Sequence, residues 1–317
     1  MLEDRRKRRG RKAAERPLGP LTLIQSRLIE TIGQLHEGPH EITYQHSILC
    51  QTGLPYRDPG PDARAWDRKQ GNAALRISAG DAMNPETGEW EQIGLPWGPK
   101  ARLVLMHLNS EAIRTRNARV DVGESLTAFV KRLGLHGHGR DIKSIKDQVG
   151  ALSAATIRMA FMGPDGIYQL NSQVVEGFDL WFPKDARQRV LWPSYVDLSP
   201  SYFDSLTRHA VPLDERAIAA LSHSAMGLDI YAWLAQRLHR IPAGAAHRVA
   251  WPLLQAQFGA DFARLRKFRE KFLIALKQVA AVYPVARIEA DDEGLLLRPS
   301  APPVPKTSLL IRQPNGK

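Results

Sequence analysis

The sequence predicts an α+β, mainly helical fold with two winged-helix domains in tandem. Two observations predict this fold class. One order of elements (helix, strand, helix, turn, helix and a two-stranded hairpin) is found twice along the 317 residues. Hydrophobic residues make up 43% of the chain, which is enough for a sizeable core. A helix-turn-helix followed by a β-hairpin is the order of a winged helix.

The predicted elements of the first repeat follow from apolar spacing and from turn residues. They are a helix from Gly98, a strand over 119–122, helices over 125–133 and 141–154, and hairpin strands over 156–162 and from 167. Before this repeat, Pro20 opens a predicted helix that ends near Gly38. Residues 75–77 and 90–95 are predicted to pair as strands around a turn at 84–88.

The second repeat has the same order. Its predicted elements are a helix over 228–241, a strand over 247–250, helices over 252–258 and 261–283, and hairpin strands over 285–290 and 295–298. Asp261 is a candidate N-cap of the long helix. Together these elements predict four segments: a disordered basic tail over 1–16, a winged-helix domain with an N-terminal extension over 17–184, a second winged-helix domain over 185–305, and a disordered tail over 306–317.

The long helix over 261–283 carries the clearest signal for DNA binding. Its apolar residues share one face, while Arg264, Lys267 and Lys271 share another face about 60° wide. Arg266 and Lys277 add charge beside that face. Such a helix fits the major groove, where Arg binds guanine edges and Lys neutralises phosphates. The acidic tip of the following hairpin, at 291–293, is expected to stay off the DNA backbone or to touch another protein.

The corresponding helix of the first repeat gives a weaker signal. The further candidate DNA-binding residues are Arg140, Lys143 and Lys146 on this helix and Arg158 on the following strand. Asp141 and Asp147 dilute the charge of the helix. The pattern therefore fits two alternatives equally, a phosphate-binding helix or a structural or dimer-forming module.

The charge balance indicates the class of partner. The formal net charge is +11, and residues 1–16 hold eight basic and three acidic side chains. An excess of this size favours a polyanionic partner, nucleic acid first. The basic tail is either a solubilising tail or an arm that adds phosphate contacts. With no apolar run long enough for a membrane span and no signal peptide, we expect a cytoplasmic protein without a membrane partner.

Signals of catalysis are weak, so we expect no enzyme, no catalytic residue, no metal and no cofactor. His36 and His40 match the spacing of a zinc-protease motif, but Gly38 and Pro39 between them break the helix that the motif needs. The chain contains no P-loop and no G-x-S-x-G nucleophile motif. Cys50 is the single cysteine, which excludes a disulfide framework and multi-cysteine metal sites.

Several segments resemble the RepA-type replication initiators of broad-host-range plasmids. The matching segments are Leu49 to Arg57 (LCQTGLPYR), Gly94 to Arg102 (GLPWGPKAR), Ser125 to Leu135, Leu228 to Leu238, the helix over 262–283 with its Tyr-Pro exit, and Gly294 to Pro303. They span roughly residues 40–305 and leave both tails outside.

The resemblance implies a role as well as the fold. Such initiators are tandem winged-helix proteins that bind direct repeats (iterons) in double-stranded plasmid origin DNA, help to open an A·T-rich segment and recruit host replication-initiation and helicase proteins. It also implies a homodimer that represses its own promoter, while monomers initiate. A winged-helix transcriptional repressor without initiator activity, and a protein that uses its winged helices only for protein contacts, remain the alternatives.

Overall fold

The computed structural model describes residues 33, 42–84, 87–121, 130, 131, 133, 135, 139–163, 166–178 and 195–305. The predicted helices from Pro20 and over 125–133, and both predicted tails, lie wholly or mostly outside these residues. The described part is a mixed α/β structure rather than a mainly helical one. The two halves are described in turn, on either side of residue 184.

The first half is built around one long helix and one four-stranded sheet. Its elements are β1 (Ile42–His46), α1 (Ser47–Thr52), β2 (Ala65–Gln70), β3 (Ala73–Ser78), β4 (Asp81–Met83), β5 (Trp90–Gln92), α2 (Gly98–Thr115), β6 (Arg119–Asp121), α3 (Gly139–Ala154), β7 (Thr156–Gly163), β8 (Gly166–Gln173) and β9 (Val175–Phe178). The sheet is antiparallel in the order β2-β3-β7-β8. Pro99 lies in the first turn of α2, where its missing N–H costs nothing.

The second half begins with β10 (Tyr195–Leu198), α4 (Pro200–His209), β11 (Ala210–Asp214) and α5 (Glu215–Leu221). Then follow α6 (Ala225–Arg237), a short 3₁₀ helix (Leu238–Arg240), β12 (His247–Ala250), α7 (Trp251–Phe258), α8 (Leu265–Val282), β13 (Ile288–Ala290) and β14 (Gly294–Leu297). The last three strands form an antiparallel sheet in the order β12-β14-β13. Gly294 is required there, because a Cβ at this position would meet the Val249 carbonyl oxygen.

The two repeats share an order of elements but not a pattern of strand pairing. In the second repeat, β12 pairs with β14 of the hairpin that follows α8. In the first repeat, β6 pairs with β10, which lies beyond residue 184, and the hairpin β7–β8 joins β3. The second copy of the order therefore closes on itself, whereas the first is completed by strands from elsewhere in the chain.

One hydrophobic core runs through both halves of the described part. Strand β1 pairs along its full length with β11, and β6 and β9 both pair with β10, so strand pairing crosses the predicted boundary at residue 184. The leading helices of the two repeats, α2 and α6, are joined by a buried ion pair in which Arg102 donates from Nε and Nη2 to the two carboxylate oxygens of Asp229, each at 2.7 Å.

Three details correct the sequence prediction. Residues 75–77 pair with β2 and β7, while residues 90–92 pair with β4 across the turn. The long helix begins at Leu265 with Arg264 at its N-cap, so Asp261 lies in the preceding turn. The region around 199–221, left without prediction, holds two helices and a strand. No helix of the described residues is long and apolar enough to cross a membrane.

Candidate nucleic-acid interface

Helix α8 is held by an aromatic cluster on its inner face. Its buried residues are Phe268, Phe272, Ala275, Leu276, Val279 and Val282. The rings of Phe268 and Phe272 lie 5.4 Å apart, and both make edge contacts with Trp251 of α7. The two helices approach so closely at Gly259, which ends α7, that a Cβ at this position would collide with the Phe268 ring. This packing fixes which face of α8 points to solvent.

The outer face of α8 is basic. Arg266, Lys267, Lys271 and Lys277 are all exposed, and Glu270 is the acidic residue among them. Lys267 and Glu270 form an ion pair of 2.8 Å, which holds the pKa of the Glu270 carboxyl below its usual value through a hydrogen bond from the lysine. We name these five residues the α8 basic face. The structure therefore places four of the predicted DNA-binding residues together on one exposed surface.

Arg264 lies at the N-terminal end of this face rather than within the helix. Its carbonyl oxygen accepts hydrogen bonds from the N–H groups of Lys267 (3.0 Å) and Phe268 (3.1 Å), so the residue is the N-cap through its backbone. Its side chain is exposed. In helix-turn-helix proteins the N-terminal residues of the second helix contact base edges. The predicted Arg264 thus lies just before the helix, not on the helical face predicted for it.

The hairpin tip beside α8 is acidic, but its charges are paired. Arg248 on β12 forms ion pairs with Asp291 (2.6 Å) and Glu293 (3.1 Å). Arg269 on α8 pairs with Asp292 (3.1 Å) and lies over the ring of Trp251, 4.8 Å from its centroid. The hydrogen bond from Arg248 lowers the pKa of the Asp291 carboxyl.

The tip is also fixed through its backbone. Trp251 Nε1 donates to the Asp291 carbonyl oxygen at 2.9 Å, which ties the hairpin to α7. Arg269 and Arg248 were not among the residues predicted for this region. The sequence does contain a signal for them, because an acidic hairpin tip needs basic partners. Which arginines lie close to the tip depends on strand pairing between residues distant in sequence, so the signal does not identify them.

The corresponding surface of α3 is less charged. Lys143 is exposed, Lys146 is half-buried, and Arg140 lies in the helix with a side chain outside the described part. Asp141 pairs with Lys100 of α2 at 2.6 Å. Gln148, on the buried side, accepts a hydrogen bond from the backbone N–H of Trp97. Two polar contacts, from the first turn and the middle of α3, thus tie this helix to the N-terminal end of α2.

Arg158 does not join either basic helix. It lies on β7, half-buried, and donates to Ser78 Oγ of β3 at 3.1 Å. It stands opposite Arg76 in the β3–β7 register. The predicted DNA-binding residues are therefore divided over three surfaces, of which the α8 basic face is the most compact.

The described residues were searched for a metal site and for a reactive cysteine. They contain no group of three or more His, Cys, Asp and Glu side chains that could hold a metal ion. Cys50 is buried in α1, and burial raises the pKa of its thiol well above the usual value, which keeps the unreactive thiol form.

Comparisons with known proteins give the family and the fold. The family model for plasmid-encoded RepA proteins matches residues 95–253, half of the chain, from α2 to the first turn of α7. Two solved structures of domains 2 and 3 of RctB are similar in fold. The first has a TM-score of 0.51 and 10% sequence identity, and the match covers 84% of this chain and 99% of the RctB chain. The second has a TM-score of 0.50 and 8% identity, and the match covers 76% of this chain and 88% of the RctB chain. No curated protein matches. The chain therefore belongs to the family of plasmid-encoded RepA replication proteins.

Proposed function

We propose that this protein initiates plasmid replication by binding repeated sequences (iterons) in double-stranded origin DNA, assisting the opening of an A·T-rich segment and recruiting host helicase-loading proteins. The observation that carries the proposal is the α8 basic face, rigidly backed by aromatic packing and flanked by a hairpin. The order of elements from α6 to β14 and the pairing of its three strands with one another support a winged helix in this segment.

In this proposal Arg264 and the α8 basic face contact different parts of the DNA. Arg264, at the helix N-terminus, reads a base edge, while Lys271 and Lys277 neutralise phosphates on either side. The basic N-terminal tail over 1–16 adds contacts that do not depend on sequence. Several copies on adjacent repeats would bend the duplex, and bending is easiest at flexible pyrimidine–purine steps.

Footprinting on the DNA that flanks the gene tests the function directly. We expect protection of tandem direct repeats beside an A·T-rich tract, with enhanced cleavage or strand opening within that tract. Protection of a lone palindrome would support a repressor and contradict the initiator function. Absence of salt-sensitive DNA binding would contradict both and favour a protein that uses this surface for protein contacts.

Binding titrations with single-site variants test the assigned residues. Arg264→Ala should weaken binding to the cognate repeat by about 1–3 kcal/mol and reduce preference at one base position. Arg57→Ala, which removes an exposed arginine remote in sequence from α8, serves as the matched control and should bind as the wild type does. Equal losses for Arg264→Ala on all sequences would assign that residue to a phosphate instead.

A further inference from the structure

A cleft of about 650 Å³ lies between the two halves, and none of the residues assigned to DNA lines it. Its basic side chains are Arg208 and His209 at the end of α4, and Arg237 and Arg240 at the end of α6 and in the 3₁₀ helix. Residues of α1, the β2–β3 turn and the hairpin β7–β8 complete its lining, which contains no Asp or Glu. We name it the arginine cleft.

Two buried donors in the arginine cleft have no hydrogen-bond partner. Trp233 is 0% exposed and lines the cleft, and its Nε1 is unpaired. Arg237 Nε is likewise buried and unpaired, with the guanidinium carbon 5.7 Å from the centroid of the Trp233 ring. Buried donors are normally satisfied, so these two show that the wall of the cleft is incompletely hydrogen-bonded, although neither nitrogen is accessible to solvent in this conformation.

The charges in the arginine cleft are also uncompensated. Among the described residues, no carboxylate forms an ion pair with Arg208, Arg237 or Arg240. Burial lowers the pKa of the Arg237 guanidinium, with no neighbouring acid to offset this. Arg237 is partly desolvated, Arg208 and Arg240 are exposed, and a compact anion between the three like charges would be held by charge-assisted hydrogen bonds.

The remaining lining indicates what carries that anion. Phe161 and Tyr168 stand opposite each other in the β7–β8 register and are partly exposed at the cleft. Side-chain amides of Gln70, Asn72 and Gln236 line it as well. Aromatic faces stack on bases, amides bond to base edges and arginines bind phosphates, and the volume is in the range of small-ligand sites. We propose that the arginine cleft binds a mononucleotide, with its phosphates on Arg237, Arg240 and Arg208.

Calorimetric titration of the full chain without DNA tests this inference, with ATP, inorganic phosphate and adenosine as probes. We expect saturable ATP binding with a Kd below about 1 mM, weaker binding of phosphate and none of adenosine. Arg237→Met keeps the aliphatic stem that packs near Trp233, and Arg240→Met changes an exposed residue. Each should weaken ATP binding at least about tenfold, because each removes a charge-assisted hydrogen bond.

Controls make the outcome decisive. Arg57→Met makes the same charge change outside the cleft and should leave ATP binding unchanged. Arg237→Met should melt at the wild-type temperature or above, because it removes a desolvated charge. Absence of saturable binding, or equal weakening by Arg57→Met, overturns the proposal. If a short DNA duplex or an acidic peptide displaces ATP and depends on Arg237 to the same degree, the cleft belongs to that macromolecule, and the nucleotide assignment is overturned while DNA binding by α8 stands.

Discussion

Helices α3 and α8 hold the same place in the two repeats but present different surfaces. On the α8 basic face, four exposed basic side chains accompany one acidic residue, and no element of the described residues covers them. On α3, the exposed Lys143 has Asp147 nearby in sequence, and Asp141 is paired with Lys100. The comparison shows that a shared order of elements does not carry a shared surface charge. The side chains left free after packing decide which helix can bind a polyanion.

The largest expected effect concerns the contact that joins the two repeats. Asp229→Asn leaves the buried Arg102 guanidinium without its counter-charge, so the free energy of unfolding should fall by about 3–5 kcal/mol in urea titrations. Glu111→Gln removes an acid from the solvent-accessible Arg114 pair and should change it by less than about 0.5 kcal/mol. A small loss for Asp229→Asn would show that α2 and α6 are held together by apolar packing alone.

The next effect compares the two helices in DNA binding. Arg266→Ala on α8 should weaken binding to the origin repeat by about 1–3 kcal/mol in anisotropy titrations. The matched change Lys143→Ala on α3 should weaken DNA binding by less than about 0.5 kcal/mol, because Asp141 and Asp147 lower the net charge of that helix. The reverse order of effects would assign DNA binding to the first repeat.

A pH dependence is expected where β1 joins β11 across residue 184. Burial, and next the neighbouring His209, lower the pKa of His46 to about 3, while its Nδ1 caps α1 and its Nε2 contacts Ser205. In the unfolded chain His46 takes up a proton near pH 6.5, whereas in the folded chain it stays neutral at that pH. The free energy of unfolding therefore decreases as pH falls below 6.5. From pH 8 to pH 5.5 the unfolding free energy should fall by about 1.4 kcal/mol from this group.

His46→Asn keeps an acceptor for the helix cap and removes the titration. The pH dependence between 8 and 5.5 should therefore become shallower by the amount assigned to His46. An unchanged slope in urea titrations would show that other groups are responsible for it.

The smallest effect concerns the acidic tip of the second hairpin. Because its carboxylates are already paired with Arg248 and Arg269, Asp292→Asn should change DNA affinity by less than about twofold. Asp62→Asn, an exposed change elsewhere, is the control. A rise of about tenfold in affinity for Asp292→Asn would show that the tip lies against phosphates and opposes binding.

The sequence predicted those parts of the fold that depend on local spacing. Helices α2, α3 and α8 and both hairpins lie close to their predicted ranges, because apolar periodicity and turn residues are local signals. The exposed lysines of α8 were found for the same reason. The β1–β11 pairing and the buried Arg102–Asp229 pair were not predicted, since each joins residues more than 120 positions apart. Arg264 was placed on the wrong side of the helix start because an Asp three residues earlier also suits an N-cap.

The salt dependence of binding tests the central claim most directly. Each phosphate contact contributes about 0.9 to the slope of log K against log salt concentration. Replacing both Lys271 and Lys277 by Gln should therefore reduce the slope on the origin repeat by about 2, while Lys143→Gln leaves it unchanged. An unchanged slope for the α8 double variant, with a reduced slope for Lys143→Gln, would contradict the assignment of DNA binding to the α8 basic face.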